Sequence, residues 1–392
     1  MLFRYIIGHD DTKQVLVRAV QENHLAHALL FDGPTGSANL ALALALATFA
    51  NCESRQGQPT DGLFGNDTQA NEPTDDACGR CASCIKMGKL VHPDLHLVFP
   101  IVSSETGSKP KTSEDFLTDW RKMVIESPYR TLPEWLAFIG AEKKQGNISV
   151  KEARSILQKL SLKAYEGCYK IMLIWLPELM NGASANALLK ILEEPPERTL
   201  FLLATNQPDK LLITILSRTQ RVGVRAFTDE EVGLYLRQSL NLDETRARQA
   251  AFLANGDMAA ALQLLKADPD SGPDRHTWFA EWMRACYRQD LSALVKQAEQ
   301  FDGFNKEKQK GLLEYSLHLC RDLFLWQQGA ESLLRLPEDE LNFVKNFGKV
   351  LKPAHVERII ADVNEAAYHI ERNARAKMVL LDMSLTFSRL IR

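Results

Sequence analysis

Short apolar runs bounded by turn-forming residues predict the strands of a buried parallel sheet. Such runs cover 27–32, 169–175 and 199–205, and they are apolar at consecutive rather than alternating positions. That pattern is typical of strands that helices cover on both faces. Helical periodicity follows the first two runs, and the second helix must end before Pro195 because proline disfavours the helical conformation of the residue before it. We therefore predict the α/β class.

A long helical region is predicted after residue 226. A capping box at 228–231 opens it, and a cluster of Asp, Pro, Ser and Gly at 268–273 interrupts it. In the final helix we expect Met378, Leu381 and Leu385 to form one apolar face. Helices that are apolar over more than a narrow stripe favour burial against other subunits. The predicted domains are 1–226, 227–268 and 274–392.

The segment 103–146 has helical periodicity of its own. Trp120 and Trp135 fall in two predicted short helices, and a capping box at 131–134 opens the second. We expect both tryptophans to pack on their own domain, because aromatic stripes usually belong to a core. The alternative is that they form a surface for a partner protein.

Composition and charge narrow the functional classes. The 392 residues are 45% hydrophobic and 25% charged, which is typical of a globular protein of two or three domains. A net charge of -3 argues against a protein that coats nucleic acid alone. The first residues lack the apolar core of a signal peptide, and no uncharged run reaches membrane-spanning length. We therefore predict a cytoplasmic protein without membrane contact.

Four of the seven cysteines fall in one spacing pattern. Cys78, Cys81 and Cys84 form two nested C-x-x-C steps, Gly79 permits a tight turn between them, and Cys52 supplies a fourth thiol. Four thiolates suit a closed tetrahedral Zn²⁺ site of the structural type. The alternatives are chance proximity and a redox pair. The polar segment between Cys52 and Cys78 is predicted to be disordered.

The turn after the first predicted strand has the context of a phosphate-binding loop, because a strand, a glycine turn and a helix follow one another there. Gly33 and Gly36 remain from the pattern G-x-x-x-x-G-K-[ST]. Ala38, Asn39 and Leu40 stand where its last glycine, its lysine and its Mg²⁺-binding hydroxyl belong. Without that lysine and hydroxyl a triphosphate loses its main electrostatic partners. We expect a structural turn that holds no cofactor and does not turn over ATP.

The predicted strand at 169–175 ends without the acidic pair that holds Mg²⁺ and positions water in nucleotide hydrolases. Trp175 and Leu176 occupy those two places. Thr205 and Asn206, at the end of the strand that follows, lie where ligands sit in open α/β sheets. We expect these two residues to be relics of a site or hydrogen-bond partners of the neighbouring loop.

The sequence Ser-Ala-Asn-Ala-Leu-Leu-Lys-Ile-Leu-Glu-Glu-Pro-Pro at 184–196 resembles the signature of bacterial DNA polymerase III clamp-loader subunits, which are AAA+ proteins. The cysteine module at about 52–94 is similar to their zinc module, and Ser217, Arg218 and Thr219 resemble their Ser-Arg-Cys motif. The resemblance implies a AAA+ RecA-like parallel sheet with the zinc module inserted, followed by a small helical lid and an all-α collar. The segment 103–146 does not match the family and is treated as an insert.

The resemblance also implies a subunit that has lost nucleotide turnover, since Ala259 stands where the family's second nucleotide-sensing arginine falls. Arg218, with Ser217 beside it, would instead reach the γ-phosphate of ATP bound to the next subunit of a ring. The alternative is a buried structural arginine paired with Glu193 or Glu194. The implied partners are tau/gamma-type ATPase subunits and a delta-type subunit, with the sliding clamp and primed DNA reached through this hetero-oligomer. Polymerase activity would belong to the DNA polymerase III holoenzyme that carries out DNA replication.

Two other functions remain open at this point. An active clamp-loader ATPase with an unusual loop would hydrolyse ATP as an isolated chain. A zinc-dependent DNA-binding adaptor would need a basic face near its cysteines, and Arg80, Lys86 and Lys89 provide the nearby charge.

Overall fold

The computed structural model describes residues 1–55, 75–102, 112–142, 144–152, 155, 164–266, 275–304, 306–372 and 374–391. The chain divides into two compact units, Met1–Leu265 and Lys266–Arg392. The predicted boundary cluster lies outside the described residues, and so does most of the predicted disordered segment, at 56–74. The separation of 1–226 from 227–268 stays a prediction.

The first unit contains a five-stranded parallel sheet. Its strands are β1 (Ala28–Asp32), β2 (Leu95–Val98), β3 (Lys170–Trp175), β4 (Thr199–Thr205) and β5 (Gln220–Gly223). They lie in the order β2-β3-β4-β1-β5, and every neighbouring pair is parallel. All residues of β3 and β4 are buried, as their continuous apolar runs require. The predicted α/β class is confirmed.

Both faces of this sheet are covered. Leu29 and Phe31 of β1 belong to one hydrophobic core, whereas Ala28 and Leu30 belong to another. Because alternate residues of a strand point to opposite faces, the two cores lie on the two sides of the sheet. Among the described residues, the helices of this unit with defined bounds are α1 (Asp10–Gln21), α2 (Asn39–Ala50), α3 (Ala82–Gly88), α4 (Leu117–Glu126), α5 (Leu132–Phe138), α6 (Gly182–Glu193), α7 (Ile213–Leu216), α8 (Asp229–Leu240), α9 (Glu244–Ala254) and α10 (Met258–Lys266).

Local sequence explains where the central helices begin and end. All residues of α2 are buried, which is why this helix is apolar on every side. Asn181 caps α6, because its Oδ1 accepts a hydrogen bond from the Ser184 N–H at 2.8 Å. The helix α6 ends at Glu193, before the two prolines, as predicted.

The insert packs on its own unit. Trp120 of α4 and Trp135 of α5 are fully buried. Phe99 stacks on Trp120 with ring centroids 4.9 Å apart and meets Trp135 edge to face at 5.3 Å. The Trp135 indole N–H donates to the Pro100 carbonyl at 2.8 Å, and Thr131 and Glu134 form the predicted capping box. Self-packing of the two tryptophans is therefore confirmed.

Among its described residues, the second unit contains helices and no strand, and it has a core of its own. Its helices are α11 (Arg275–Arg288), α12 (Leu291–Asp302), α13 (Lys306–Gln327), α14 (Glu338–Gly348), α15 (Pro353–Glu371) and α16 (Ala376–Leu390). Among the described helices, none is both long enough and apolar enough to span a bilayer.

The apolar face predicted for the final helix lies at the surface of this unit, and its burial against other subunits stays a prediction. Met378 and Leu385 are exposed, whereas Leu380, Met383 and Phe387 are buried. Phe387 lies against Trp282 of α11 with ring centroids 5.4 Å apart. The helix α16 carries two apolar stripes, and the large aromatic residues of α11 select the second one for the core.

Candidate functional site

The glycine turn after β1 is held by the start of α10. Gly36 has a φ of +72°, which favours glycine, and a Cβ at this position would lie 1.8 Å from Oδ1 of Asp257. The Met258 N–H donates to the Gly36 carbonyl at 3.2 Å. Oδ1 of Asp257 also accepts from the Ala260 N–H at 2.9 Å and so caps α10. A carboxylate therefore lies where a phosphate-binding loop would face an anion.

Asn39 joins α2 to the end of β4. Its Nδ2 donates to the Thr205 carbonyl at 3.0 Å and to Oδ1 of Asn206 at 2.7 Å. Its Oδ1 accepts from the Leu40 N–H at 2.7 Å. Both side-chain N–H groups are thus used inside the protein, and the amide carries no charge. The residue in the place of the lysine is a structural bridge, and Asn206 has one of the two roles expected for it.

Glu178 completes this hydrogen-bonded edge. It follows β3, and its Oε2 accepts from the Thr205 hydroxyl at 2.8 Å while its Oε1 accepts from the Asn206 N–H at 3.0 Å. Burial raises the pKa of this carboxyl group. Sequence analysis missed Glu178, although it is the first acidic residue after the strand that lacks its acidic pair.

The two positions of that missing pair lie in the core. Trp175 and Leu176 are buried, and the Trp120 ring of the insert meets Trp175 at a centroid distance of 6.3 Å. Leu40 and Ala259 are buried as well. None of these four side chains offers an oxygen or a cationic group, so they provide neither a Mg²⁺ ligand nor a partner for phosphate.

The structure brings all four predicted metal ligands together. The Sγ atoms of Cys52, Cys78, Cys81 and Cys84 lie within 4.8 Å of one another, and those of Cys78 and Cys84 are 3.9 Å apart. A tetrahedral Zn²⁺ with Zn–S bonds of about 2.3 Å needs sulfurs about 3.8 Å apart. Gly79 has a φ of +76° and makes the predicted tight turn. The donor set and its geometry fit one closed zinc site.

Hydrogen bonds prepare the sulfur atoms for a cation. The N–H groups of Cys78, Cys81 and Cys84 donate to the sulfurs of Cys52, Cys78 and Cys81, respectively, at 3.4, 3.3 and 3.4 Å. The hydrogen bond from the Cys84 thiol lowers the pKa of Cys52 to about 4, and the same bond raises the pKa of Cys84. Cys84 therefore keeps its proton while Cys52 loses it, and zinc, which binds thiolates, would displace the remaining protons.

The histidine near this module has a packing role. His92 is buried, and its Nδ1 accepts from the Asp94 N–H at 3.1 Å. Burial alone would raise the pKa of Asp94, but the backbone N–H groups of Tyr165, Glu166 and Gly167 donate to its carboxylate and lower it. The His-Pro-Asp segment thus anchors the loop before β3 and stands apart from the cysteines.

Arg218 follows α7 and lies at the surface beside α6. Its Nη2 is 2.6 Å from Oε1 of Glu193, and its Nη1 donates to the Thr214 carbonyl at 3.0 Å and to the Ser217 hydroxyl at 3.3 Å. The pairing with Glu193 that the alternative predicts is present, but the pair is not buried, because the two side chains are 34% and 50% exposed. A cleft of about 450 Å³ opens here, lined by His27, Leu192, Glu193, Ser217 and Arg218.

The chain is similar in sequence to a known protein family. The chain matches the family described as DNA polymerase III, delta subunit, over residues 8–228. It is similar to DNA polymerase III subunit delta' of Yersinia pestis, with 29% identity over 83% of this chain and 77% of that protein. It is also similar to subunit delta' of Escherichia coli (strain K12), with 24% identity over 89% of this chain and 84% of that protein.

Among solved structures, a DNA polymerase III gamma-subunit-related protein of Thermotoga maritima aligns with 97% of this chain and 100% of that one, at 15% identity and a TM-score of 0.39. The family match alone covers more than half of the sequence. The chain therefore belongs to the family of DNA polymerase III delta subunits.

Proposed function

We propose that this chain is the ATPase-inactive member of a bacterial sliding-clamp loader and supplies Arg218 in trans to a neighbouring ATPase subunit. Its partners in the hetero-oligomer are tau/gamma-type ATPases and a delta-type subunit. Together they load the sliding clamp onto primed DNA during replication, in the cytoplasm. The observation that carries this proposal is the edge at which Asn39, Thr205, Asn206 and Glu178 bond to one another.

That edge lacks the groups that phosphoryl transfer needs. Transfer of a γ-phosphoryl group depends on positioning and on positive charge, supplied by a lysine and by Mg²⁺ held on acidic side chains. Asn39 is neutral and its donors are already used, while Trp175 and Leu176 are buried apolar residues. The carboxylate of Asp257 against Gly36 adds an unfavourable charge for any phosphate at the turn.

Arg218, unlike Asn39, has N–H donors that are not used by the described residues of this chain. A guanidinium has five N–H donors. Among the described residues, Thr214, Ser217 and Glu193 engage three of them. Two remain, and Arg218 lines the cleft, which suits recognition of an oxyanion on an adjacent subunit. Glu193 fixes the direction of the fork.

The zinc site supports this role without chemistry of its own. Cys52, Cys78, Cys81 and Cys84 would hold Zn²⁺ as a closed cross-link, and such a site stabilises the fold locally. The module in turn holds the start of the chain. The Asp76 carboxylate accepts from the N–H groups of Phe3 and Arg4 at 3.1 and 3.0 Å. Zinc would therefore preserve the shape of a surface rather than take part in a reaction.

Replacement of Arg218 tests the proposal. In a loader reconstituted with its ATPase and delta-type subunits, Arg218→Ala should reduce ATP turnover stimulated by clamp and DNA, and it should reduce clamp loading. Arginine fingers contribute about 10³ to 10⁵ in rate at a single site, and total turnover falls less because other ATP sites continue to work. Arg218→Lys should restore little, because an ammonium does not reproduce the planar fork.

Arg221→Ala is the matched control. Arg221 is also an exposed arginine paired with a carboxylate, that of Asp32, and it lies three residues further along the chain. This variant should load clamps normally. The proposal fails if Arg218→Ala loads normally, or if the melting curve of the free subunit shows that this variant has unfolded.

A further inference from the structure

A groove runs between the cysteine module and the insert. It has a volume of about 390 Å³ and is formed by the first residues of the chain, α3 and the end of α4. We call it the module groove, and it is defined by Leu2, Tyr5, Ile85, Leu90, Val124 and Ile125. This volume lies within the range of about 300 to 1,000 Å³ that is usual for binding pockets. The insert thus builds one wall of a surface whose other wall belongs to the module.

Large apolar side chains stand exposed on the rims of this groove. Tyr5, Ile85 and Ile125 are 63%, 49% and 56% exposed, respectively. Leu2, Leu90 and Val124 are buried and form the floor. Single exposed apolar residues are common on any protein, but several around one concavity mark an interaction site. The tryptophans of the insert serve the core, whereas its Ile125 faces the groove.

The charge around the module groove is positive. Lys89 lines it and is exposed, and Arg80 is exposed next to the lining residue Gly79. The Arg121 Nε donates to the carbonyl of the floor residue Leu90 at 2.7 Å. Within the part of the chain that the structure describes, none of these three cations has a carboxylate partner, whereas Lys86 on the far side of α3 pairs with Glu166. None of the residues lining the groove is acidic.

We propose that the module groove docks a short amphipathic helix of a partner protein. Its apolar face would place two or three large side chains between Ile85 and Ile125, and Asp or Glu on its flanks would meet Lys89, Arg80 and Arg121. A helix laid between two helices is a recurrent mode of peptide recognition. The charge complementarity fixes orientation and accelerates association. An apolar floor offers nothing to a phosphate backbone, so a protein segment fits better than nucleic acid.

The test is a selection of phage-displayed random helical peptides on the full chain. Peptides that combine large apolar residues with Asp or Glu should be enriched on the wild type. Ile85→Asp and Ile125→Asp should each weaken the selected peptide by about tenfold or more, as expected for residues at the centre of an interface. Lys89→Glu should weaken it several-fold, and added salt should reduce that difference because exposed charges are screened.

Val15→Asp is the matched control, since Val15 is exposed on α1 and does not line the groove. It should bind the selected peptide like the wild type, and the zinc content and melting curve of each variant establish that it is folded. Three results would each overturn the proposal. They are equal enrichment on the wild type and the two aspartate variants, displacement of the peptide by single-stranded DNA in a manner that depends on Lys89, and self-association of the chain that Ile85→Asp abolishes.

Discussion

Asn39 is a neutral side chain in the lysine position of a turn that otherwise has the backbone of a phosphate-binding loop. The strand, the turn and the helix of a phosphate-binding loop are all present, and Gly36 keeps its left-handed conformation. The Asn39 amide nevertheless donates both of its N–H groups, to the Thr205 carbonyl and to Oδ1 of Asn206. At the same turn, Asp257 provides the carboxylate that an anion would have to displace. The turn thus combines missing phosphate-binding groups with internal contacts that occupy their place.

His9 makes the stability of the first unit depend on pH. His9 is buried in the left-handed region with a φ of 58°, beside the Phe227 ring at 5.1 Å. Burial lowers its pKa to about 4, and Arg225 contributes in the same direction. In the unfolded chain a histidine has a pKa of about 6.5. Between these two values the unfolded chain binds a proton that the native chain does not.

The stability that neutral His9 contributes is therefore fully present above about pH 6.5 and declines as the pH falls towards 4. The loss should reach at most about 3 kcal/mol, and urea denaturation across this pH range measures it. His9→Asn is the reference, because asparagine tolerates a positive φ and does not titrate. If the two proteins show the same dependence on pH, the assignment to His9 is wrong.

At the scale of elements, the insert and the cysteine module each join separate parts of the first unit. The helix α4 brings Trp120 into contact with both Phe99 and Trp175. The insert thus packs beside Trp175, the position at which nucleotide hydrolases carry an acidic residue. The cysteines bring Cys52, at the end of α2, to the start of α3. Both segments fix positions that distant stretches of sequence provide, the insert by packing and the cysteines by coming together as one set of metal-binding side chains.

Trp120 allows the contribution of the insert to be measured. Trp120→Ala should cost about 3 to 5 kcal/mol in urea denaturation, because it leaves a cavity in a well-packed core. Trp120→Phe should cost less than half of that. The indole N–H is buried without a hydrogen-bond partner among the described residues, so removing it relieves an unsatisfied donor. A small effect of the alanine variant would contradict the packing described here.

The metal content tests the module. Protein purified under reducing conditions without chelator should carry about one zinc per chain, because four thiolates close one site. Cys81→Ser should lower this content and loosen the module, while the circular dichroism of the sheet persists. Cys168→Ser is the control, since Cys168 lies outside the cluster and should leave zinc binding unchanged. Wild-type protein free of zinc would remove the assignment.

At the scale of the molecule, β1, β3 and β4 were predictable because continuous apolar runs leave little freedom in a sheet covered on both faces. β2 and β5 were not predicted, and β5 is mostly exposed and not apolar. The degraded positions Asn39 and Trp175 were predictable because motif spacing fixes them. Glu178 and Asp257 were not, because Glu178 reaches the end of β4, and Asp257 reaches the glycine turn, only after β3, β4 and α10 have assembled. The internal face of α16 was not predicted, because two apolar stripes compete on one helix and only the neighbouring α11 decides between them.

Nucleotide binding by the whole chain gives the prediction at this scale. The isolated protein should hydrolyse ATP no faster than background, and Asn39→Lys alone should not restore activity because the acidic pair is also absent. Melting in the presence of Mg²⁺ and ATP measures binding independently of hydrolysis. A ligand at about 100 times its Kd stabilises a protein by about 2.7 kcal/mol. The glycine turn lacks the lysine and the hydroxyl that bind a triphosphate, so we expect no such stabilisation and an unchanged melting temperature. Turnover that responds to substitution of Asn39 would favour the active-subunit alternative.

The contact between α10 and the glycine turn is held without a bound nucleotide. In a nucleotide-dependent protein, the free energy that joins such a helix to such a loop comes from the bound ligand and varies with its concentration. Here the Met258 N–H and the Asp257 carboxylate make the junction directly with Gly36. The groups that form this junction belong to the chain itself, so the free energy of the junction stays constant while the ratio of ATP to ADP changes. In a ring of subunits that respond to this ratio, such a chain would provide the fixed point against which their movements are made.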